Sequence, residues 1–243
     1  MIDLHCHVLA GLDDGPTTLG DSVEMMVRAA AAGIGIVCAT PHIRADHDVV
    51  IREIAERVDE VNDSLPPGLP SRLVPGGEVG QLDATKLDSD ELLQVSLGGG
   101  GRWILLEPAP GPITQELVDI VEHLHQRGFR SLIAHPERHL GEGLLEHLAE
   151  ACNAGALVQV TASTLTHPST MSGMAILIDA GLVHVLGTDA HTPHAGRQIS
   201  LRAELAALGA HAVTAPHLTW IAEGAPRAII RGEDVEAPFS PRV

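Results

Sequence analysis

His5-Cys6-His7, at the centre of the opening run Met1 to Gly15, has the residue types and spacing of a metal site. On a β-strand, residues i and i+2 share a face about 6.6 Å apart, so both imidazoles can reach one ion while Cys6 points away. Asp13 and Asp14 follow where a loop can fold a carboxylate back over that ion. A lone His-x-His is weak evidence. Further His, Asp and Glu residues recur downstream, each at the end of an apolar run, and their shared position strengthens the first pair.

The elements that must position them alternate between strand-like and helix-like runs. Ile2–His5 reads as the first strand, and Asp21–Ala32 as a helix closed by Gly33. Ile34–Ala39 is the second strand, ending in Thr40-Pro41-His42. Val49–Leu65 is an amphipathic helix, with Ile51, Ile54, Ala55, Val58 and Val61 at helical spacing, stopped by Pro66-Pro67-Gly68. Arg72–Pro75 leads to Gly76-Gly77-Glu78. A less regular stretch and a flexible turn at Gly98–Gly101 follow. Trp103–Leu106 is a strand ending in Glu107. Thr114–Arg127 is a helix, Ser131–Ala134 a strand ending in His135, and Gly143–Asn153 a helix. Ala156–Thr161 is a strand, Thr170–Ala180 a helix, and Val183–Gly187 a strand ending in Thr188-Asp189-Ala190-His191. The chain from Gly196 on has helical composition. About seven β/α units with no linker predict an α/β fold, one domain over 1–243, and a mainly parallel sheet, open or closed.

In α/β barrels the strands' C-terminal ends carry the active site. His5, His7 and Asp14 follow strand one, His42 strand two, Glu78 strand three and Glu107 strand four. His135, Glu137 and Arg138 follow strand five, and Asp189 and His191 strand seven. Neutral imidazole and carboxylate suit zinc, manganese and iron at a hydrolytic site. Nine donors (His5, His7, Asp14, His42, Glu78, Glu107, His135, Asp189 and His191) exceed the needs of one ion. They predict two or three divalent ions with a bridging carboxylate. The other histidines, such as His123, His147 and His217, read as surface or helix-cap residues.

These motifs, together with Asp13-Asp14-Gly15, Gly77-Glu78 and His135-Pro136-Glu137-Arg138, resemble the polymerase and histidinol phosphatase (PHP) superfamily. The similarity runs from residue 1 to about residue 230, and the opening run with Asp-Asp-Gly resembles its CpsB-like branch of bacterial protein-tyrosine phosphatases. The resemblance implies a distorted (β/α)7 barrel holding three metal ions, often manganese, with iron or zinc as alternatives. It also implies hydrolysis of phosphotyrosine on a partner protein, a bacterial tyrosine kinase that controls capsule or exopolysaccharide synthesis. By position the nine donors match the family's ligands, and Arg138 and Arg197 match its phosphate-binding arginines. The glycine-rich segment around Val95–Arg102 and Pro108-Ala109-Pro110 depart from relatives, which puts the shape of the substrate groove in question.

For such a site the expected chemistry is in-line attack on phosphorus by a metal-bridging hydroxide, with Arg138 and Arg197 holding the non-bridging oxygens. Asp189 or His191 would protonate the leaving phenolate. Cys38 to Arg44 fits the bare Cys-x5-Arg pattern of cysteine-dependent phosphatases. That chemistry needs a cradle of free backbone N–H groups, whereas this segment lacks glycine between the two and contains Pro41. Competing readings are a histidinol-phosphate type of small-molecule phosphatase and a silent metal-binding scaffold. The intact donors and both arginines argue against the scaffold. Sugar and amide hydrolases on related barrels often use a carboxylated lysine, and Lys86, the one lysine, lies in a polar stretch.

A formal charge of −17 argues against nucleic acid or an anionic membrane as the main partner. Three widely spaced cysteines make neither a disulfide framework nor a zinc knuckle, which fits reduced thiols in the cytoplasm. No apolar run approaches the roughly 20 residues of a membrane span, and no leader segment precedes the first ligands.

Overall fold

The computed structural model describes residues 1–243 apart from Pro168, Ala195 and Gln198. In chain order its elements are β1 (Ile2–Cys6), α1 (Leu19–Ala31), β2 (Ile36–Ala39), β3 (His42–Ile43), α2 (Ile54–Asp63), β4 (Arg72–Val74), β5 (Glu78–Gly80) and α3 (Ser89–Gln94). There follow β6 (Trp103–Glu107), α4 (Gln115–Gln126), β7 (Arg130–Ala134), α5 (Leu144–Asn153), β8 (Leu157–Thr161), α6 (Met171–Asp179), β9 (Val185–Gly187), α7 (Arg202–Leu208) and α8 (Ala225–Ile230).

The strands form two parallel sheets, β1-β2-β4 and β3-β5-β6-β7-β8-β9. β2 and β3 are halves of one barrel strand, broken at Thr40-Pro41, where proline offers no N–H to a ladder. β4 and β5 are likewise halves, broken at Pro75-Gly76-Gly77. A Cβ at Gly76 would lie 2.7 Å from Cys38 Sγ, so only glycine passes there. A bridge between Cys6 and Ala190 joins the first strand to the last. Two bonds fix this seam: Asp189 N–H donates to His5 O at 2.8 Å, and His7 N–H to Ala190 O at 2.9 Å. The result is a distorted (β/α)7 barrel.

One irregularity aims the first ligands. Ile2 pairs with Ile36 and Asp3 with Val37, but Cys6 pairs with Ala39, so β1 carries one extra residue. A bulge of this kind flips the side-chain alternation. Ile2 and Leu4 accordingly join the interior filling with Cys38, Trp103 and Leu105. Cys6 and Val8 instead join the layer under the helices with Val37 and Ala39. The flip leaves His5 and His7 on the interior side. Asp3 makes up for the interrupted ladder: its carboxylate accepts from His5 N–H at 3.2 Å, Thr188 N–H at 3.0 Å and the Thr188 hydroxyl.

At the opposite end the barrel is plugged by α8, with Ala225 and Ile229 in the interior filling. The turn expected to be flexible, Gly98–Gly101, lies here, at the start of β6 and away from the ligand-bearing ends. It is packed tightly instead: Gly98 has φ +70°, and a Cβ on it would sit 2.5 Å from Ile230 Cβ. The glycines let the chain close against α8, and the Trp103 indole N–H donates to Glu233 O at 2.9 Å. This segment therefore does not shape the mouth where the ligand-bearing strand ends meet.

Other expectations need correction. The second helix is shorter than Val49–Leu65, because Ile51–Glu53 forms a separate 3-10 turn, and Ala55 faces solvent. The stretch after Glu78 contains α3, started by a capping box in which Asp88 and Glu91 satisfy each other's backbone N–H. Beyond Ile230 the chain is an irregular strap rather than helix, packing Val235 and Ala237 under the barrel.

Candidate metal centre

Each strand end delivers its donor because the interior face of the strand continues past the last apolar residue. In β6, Trp103 and Leu105 fill the barrel and Glu107, two residues further, reaches the mouth. The nine donors picked from the sequence fall into four overlapping sets whose ligand atoms lie within 4.8 Å of one another. These are His7, Asp14, His42 and His191; His5, His135 and Asp189; His5, His7 and Glu78; and His42, Glu78 and Glu107. Glu78 belongs to two sets, at the centre. One of its oxygens lies 3.2 Å from His7 Nε2 and 3.0 Å from His42 Nδ1; the other lies 3.3 Å from His5 Nε2 and 2.9 Å from His135 Nε2.

The donor chemistry calls for a cation. His5 Nδ1 faces Gln159 Oε1 at 2.8 Å, and His7 Nδ1 faces Asp13 Oδ2 at 2.7 Å. Both partners accept, so both Nδ1 atoms carry hydrogen and each neutral ring presents its Nε2 lone pair inward. Those two Nε2 atoms lie 3.2 Å apart. Two facing lone pairs repel unless a proton or a metal ion lies between them. Glu78 Oε2 and His42 Nδ1 are buried with no hydrogen bond of acceptable direction, as expected of donors aimed at a common point rather than at each other. Five imidazoles and four carboxylates of this kind fit divalent transition ions.

Without a cation, protons take its place. Burial alone would lower His7, but its bonds to Asp13 and Glu78 hold it up at about 10. Burial would raise Asp13, yet the bonds from His7 and from the His42 and Gly15 backbones hold it at about 2. Asp189 resists burial through His5, Arg138 and Arg197 and stays ionised well below the usual carboxylate range. Burial and the neighbouring His7 push His191 down to about 4.

Two of these residues hold unusual backbone. His135 (φ +32°) and Asp189 (φ +50°) are the non-glycine residues with positive φ among the described residues. Such strain concentrates where side-chain direction matters more than backbone comfort. Arg138 and Arg197 stand at the mouth with about a third of each side chain exposed. Both bond to Asp189, and Arg197 also reaches His191 Nδ1 at 2.8 Å. They border a cavity of 560 Å³ lined also by Thr161, Thr164, His167 and His191. Glu137 turns away from the donors and accepts from Thr161 N–H at 2.8 Å.

Sequence reasoning missed three supports. Gln159 is a lone amide in the apolar run Leu157–Thr161, which is the signal that could have found it. Asp3 alternates with apolar neighbours and reads as a strand residue. Arg44, met only in the Cys-x5-Arg pattern, binds Glu107 at 2.8 Å and Asp46 at 2.9 Å. Cys38 is fully buried, donates to Pro75 O, and burial pushes its thiol up to about 12, far from a nucleophile's range.

Comparison with known proteins agrees with this geometry. Residues 1–212 match the family described as capsular polysaccharide synthesis, CpsB/CapC. The chain is 30% identical over 203 residues to the tyrosine-protein phosphatase YwqE of Bacillus subtilis, covering 79% of this chain and 77% of that one. It is 28% identical to the putative tyrosine-protein phosphatase CapC of Staphylococcus aureus, with the same coverage. Among solved structures, one from the work on YwqE of Bacillus subtilis and CpsB of Streptococcus pneumoniae, described there as metal-dependent tyrosine phosphatases, superposes with a TM-score of 0.81 at 25% identity over the full length of both chains. A D-hydantoinase shares the barrel at a TM-score of 0.51 and 13% identity, covering 97% of this chain and 74% of its own, a likeness of fold alone. The chain belongs to the CpsB/CapC family of capsular polysaccharide synthesis.

Proposed function

We propose that this protein is a metal-dependent phosphatase that hydrolyses phosphotyrosine on a partner protein, a bacterial tyrosine kinase in capsule or exopolysaccharide synthesis. The observation that carries this reading is the convergence of nine donors beside two arginines at one barrel mouth. The whole of 1–243 serves as one catalytic domain. His5, His7, Asp14, His42, Glu78, Glu107, His135, Asp189 and His191 hold two to three divalent ions, manganese first, with iron or zinc as alternatives. Bound there, such ions make water nucleophilic near neutral pH and neutralise charge on phosphoryl oxygens.

The chain's own residues do the rest. Arg138 and Arg197 hold the non-bridging oxygens, each with a planar fork of donors matched to phosphate. Asp13 and Gln159 fix the tautomers of His7 and His5 so that Nε2 of each faces inward. Glu78, buried at the centre, joins neighbouring donor sets. Asp189 and His191, themselves two of the nine donors, lie nearest the arginines. Held ionised and neutral respectively, they carry no proton to give, so the leaving phenolate takes its proton from solvent water. The described residues include no helix long and apolar enough to cross a membrane.

Metal analysis of the purified protein, coupled to a phosphotyrosine-peptide assay before and after chelation, tests the proposal. Two or three ions per chain, and activity that is lost on chelation and restored by manganese, are expected. Cys38→Ser should keep most of the activity. Fewer than two ions with undiminished activity, or complete loss in Cys38→Ser with metals still bound, would overturn it.

A further inference from the structure

Across the mouth from Arg138 and Arg197 lies a second depression that the chemistry above does not use. It has a volume of 270 Å³ and sits where β3, β5 and β6 end. Leu82 forms one side and Pro108, Ala109 and Pro110 the other. Glu107 belongs to both places: it lines this groove and is also a donor in the set with His42 and Glu78.

Three features mark the groove as built. Leu82 is 62% exposed, more than any other large apolar side chain among the described residues except Val243 at the chain end. Leaving such a side chain in water is unfavourable unless something covers it. The walls are held in place: Gln81 N–H donates to Glu107 O at 2.8 Å, and Gln81 Oε1 accepts from Ala109 N–H at 3.0 Å. Two prolines stiffen the second wall. Arg44, at the rim, is already committed to Glu107 and Asp46, so the groove offers no free guanidinium for a second phosphate.

Resting on the phosphotyrosine reading above, we propose that this groove docks an apolar side chain next to the phosphotyrosine of the substrate polypeptide. The position fits, since a peptide whose phosphorylated side chain enters the mouth has its neighbours one or two steps of about 3.5 Å away along the rim. The volume suits one aliphatic side chain and its backbone. Apolar contact also suits a protein of charge −17, which would repel an acidic phosphopeptide at long range. The wall formed by Pro108-Ala109-Pro110 becomes a specificity element.

Turnover of phosphotyrosyl peptides carrying leucine or glycine beside the phosphotyrosine, with p-nitrophenyl phosphate alongside, tests the assignment on the manganese-loaded enzyme. The leucine peptide should be favoured about tenfold in kcat/KM, the effect of burying one aliphatic side chain. Leu82→Asp should erase the preference, Leu82→Met should keep it, and neither should move p-nitrophenyl phosphate turnover by more than about twofold. Equal kcat/KM for the two peptides, or a preference that survives Leu82→Asp, overturns the groove while leaving the phosphatase reading intact. Failure to turn over any of these substrates with metal bound overturns the phosphatase reading, and the groove's role with it.

Discussion

Asp13 and Gln159 are not among the nine donors, yet each decides which nitrogen of a histidine can face a cation. Losing such an outer partner typically weakens metal binding by 10- to 100-fold. Asp13→Ala and Gln159→Leu should each fall in that range in a chelator-competition titration with manganese. Unchanged affinity in both would mean that ring orientation is set elsewhere. The nine side chains that gather at the mouth were legible in the sequence as candidates, because metal chemistry admits few residue types and barrel strands present them at one end. Gln159 was not: it is no ligand, and its contact with His5 spans 154 positions of chain. Asp3 was hidden for a different reason, since its task arises only from the bulge.

At the scale of elements, periodicity gave seven strands and most helices to within two or three residues. It gave neither the bulge in β1 nor the breaks that split two strands into β2/β3 and β4/β5. Those depend on partners across the sheet, which a single run of residues does not contain. The capping box of α3 was visible in Asp88 and Glu91 and could have been read. The Gly98–Gly101 turn shows how composition misleads: clustered glycines suggested freedom, whereas close packing against Ile230 demands them. Gly98→Ala combines a left-handed backbone with a severe overlap. It should cost about 2–4 kcal/mol of stability in chemical denaturation. The kcat of the folded protein should be unchanged, because the turn lies at the far end of the barrel. A loss below about 0.5 kcal/mol, the size of an ordinary surface substitution, would refute the packing argument.

Three of the four large aromatic side chains, Trp103, Trp220 and Phe239, gather beneath the whole barrel, where the chain's last residues strap across its floor. There His184 stacks on Phe239 with centroids 5.4 Å apart and accepts from Val158 N–H at 3.0 Å. Burial pushes His184 down to about 4 from an ordinary 6.5. Between those values the unfolded chain binds a proton that the folded chain excludes. Stability should therefore fall as pH drops from about 6.5 toward 4, by up to about 3 kcal/mol from this residue. Unfolding midpoints at pH 7 and pH 5 should differ less in His184→Asn than in the parent protein, both in chelator. An identical difference would remove His184 as the cause.

The seam between β1 and β9 also orders events in time. His5 and His7 leave the ribosome well ahead of Asp189, Ala190 and His191, which follow more than 180 positions later. Until that later segment has folded back beside Cys6, the barrel is open and the two histidines lack Asp189 and His191 among their neighbours. A nascent chain thus holds only fragments of the centre. A chain cut short before residue 189 should therefore present an incomplete centre, with the sets of His5, His7 and Glu78 and of His42, Glu78 and Glu107 present but Asp189 and His191 missing.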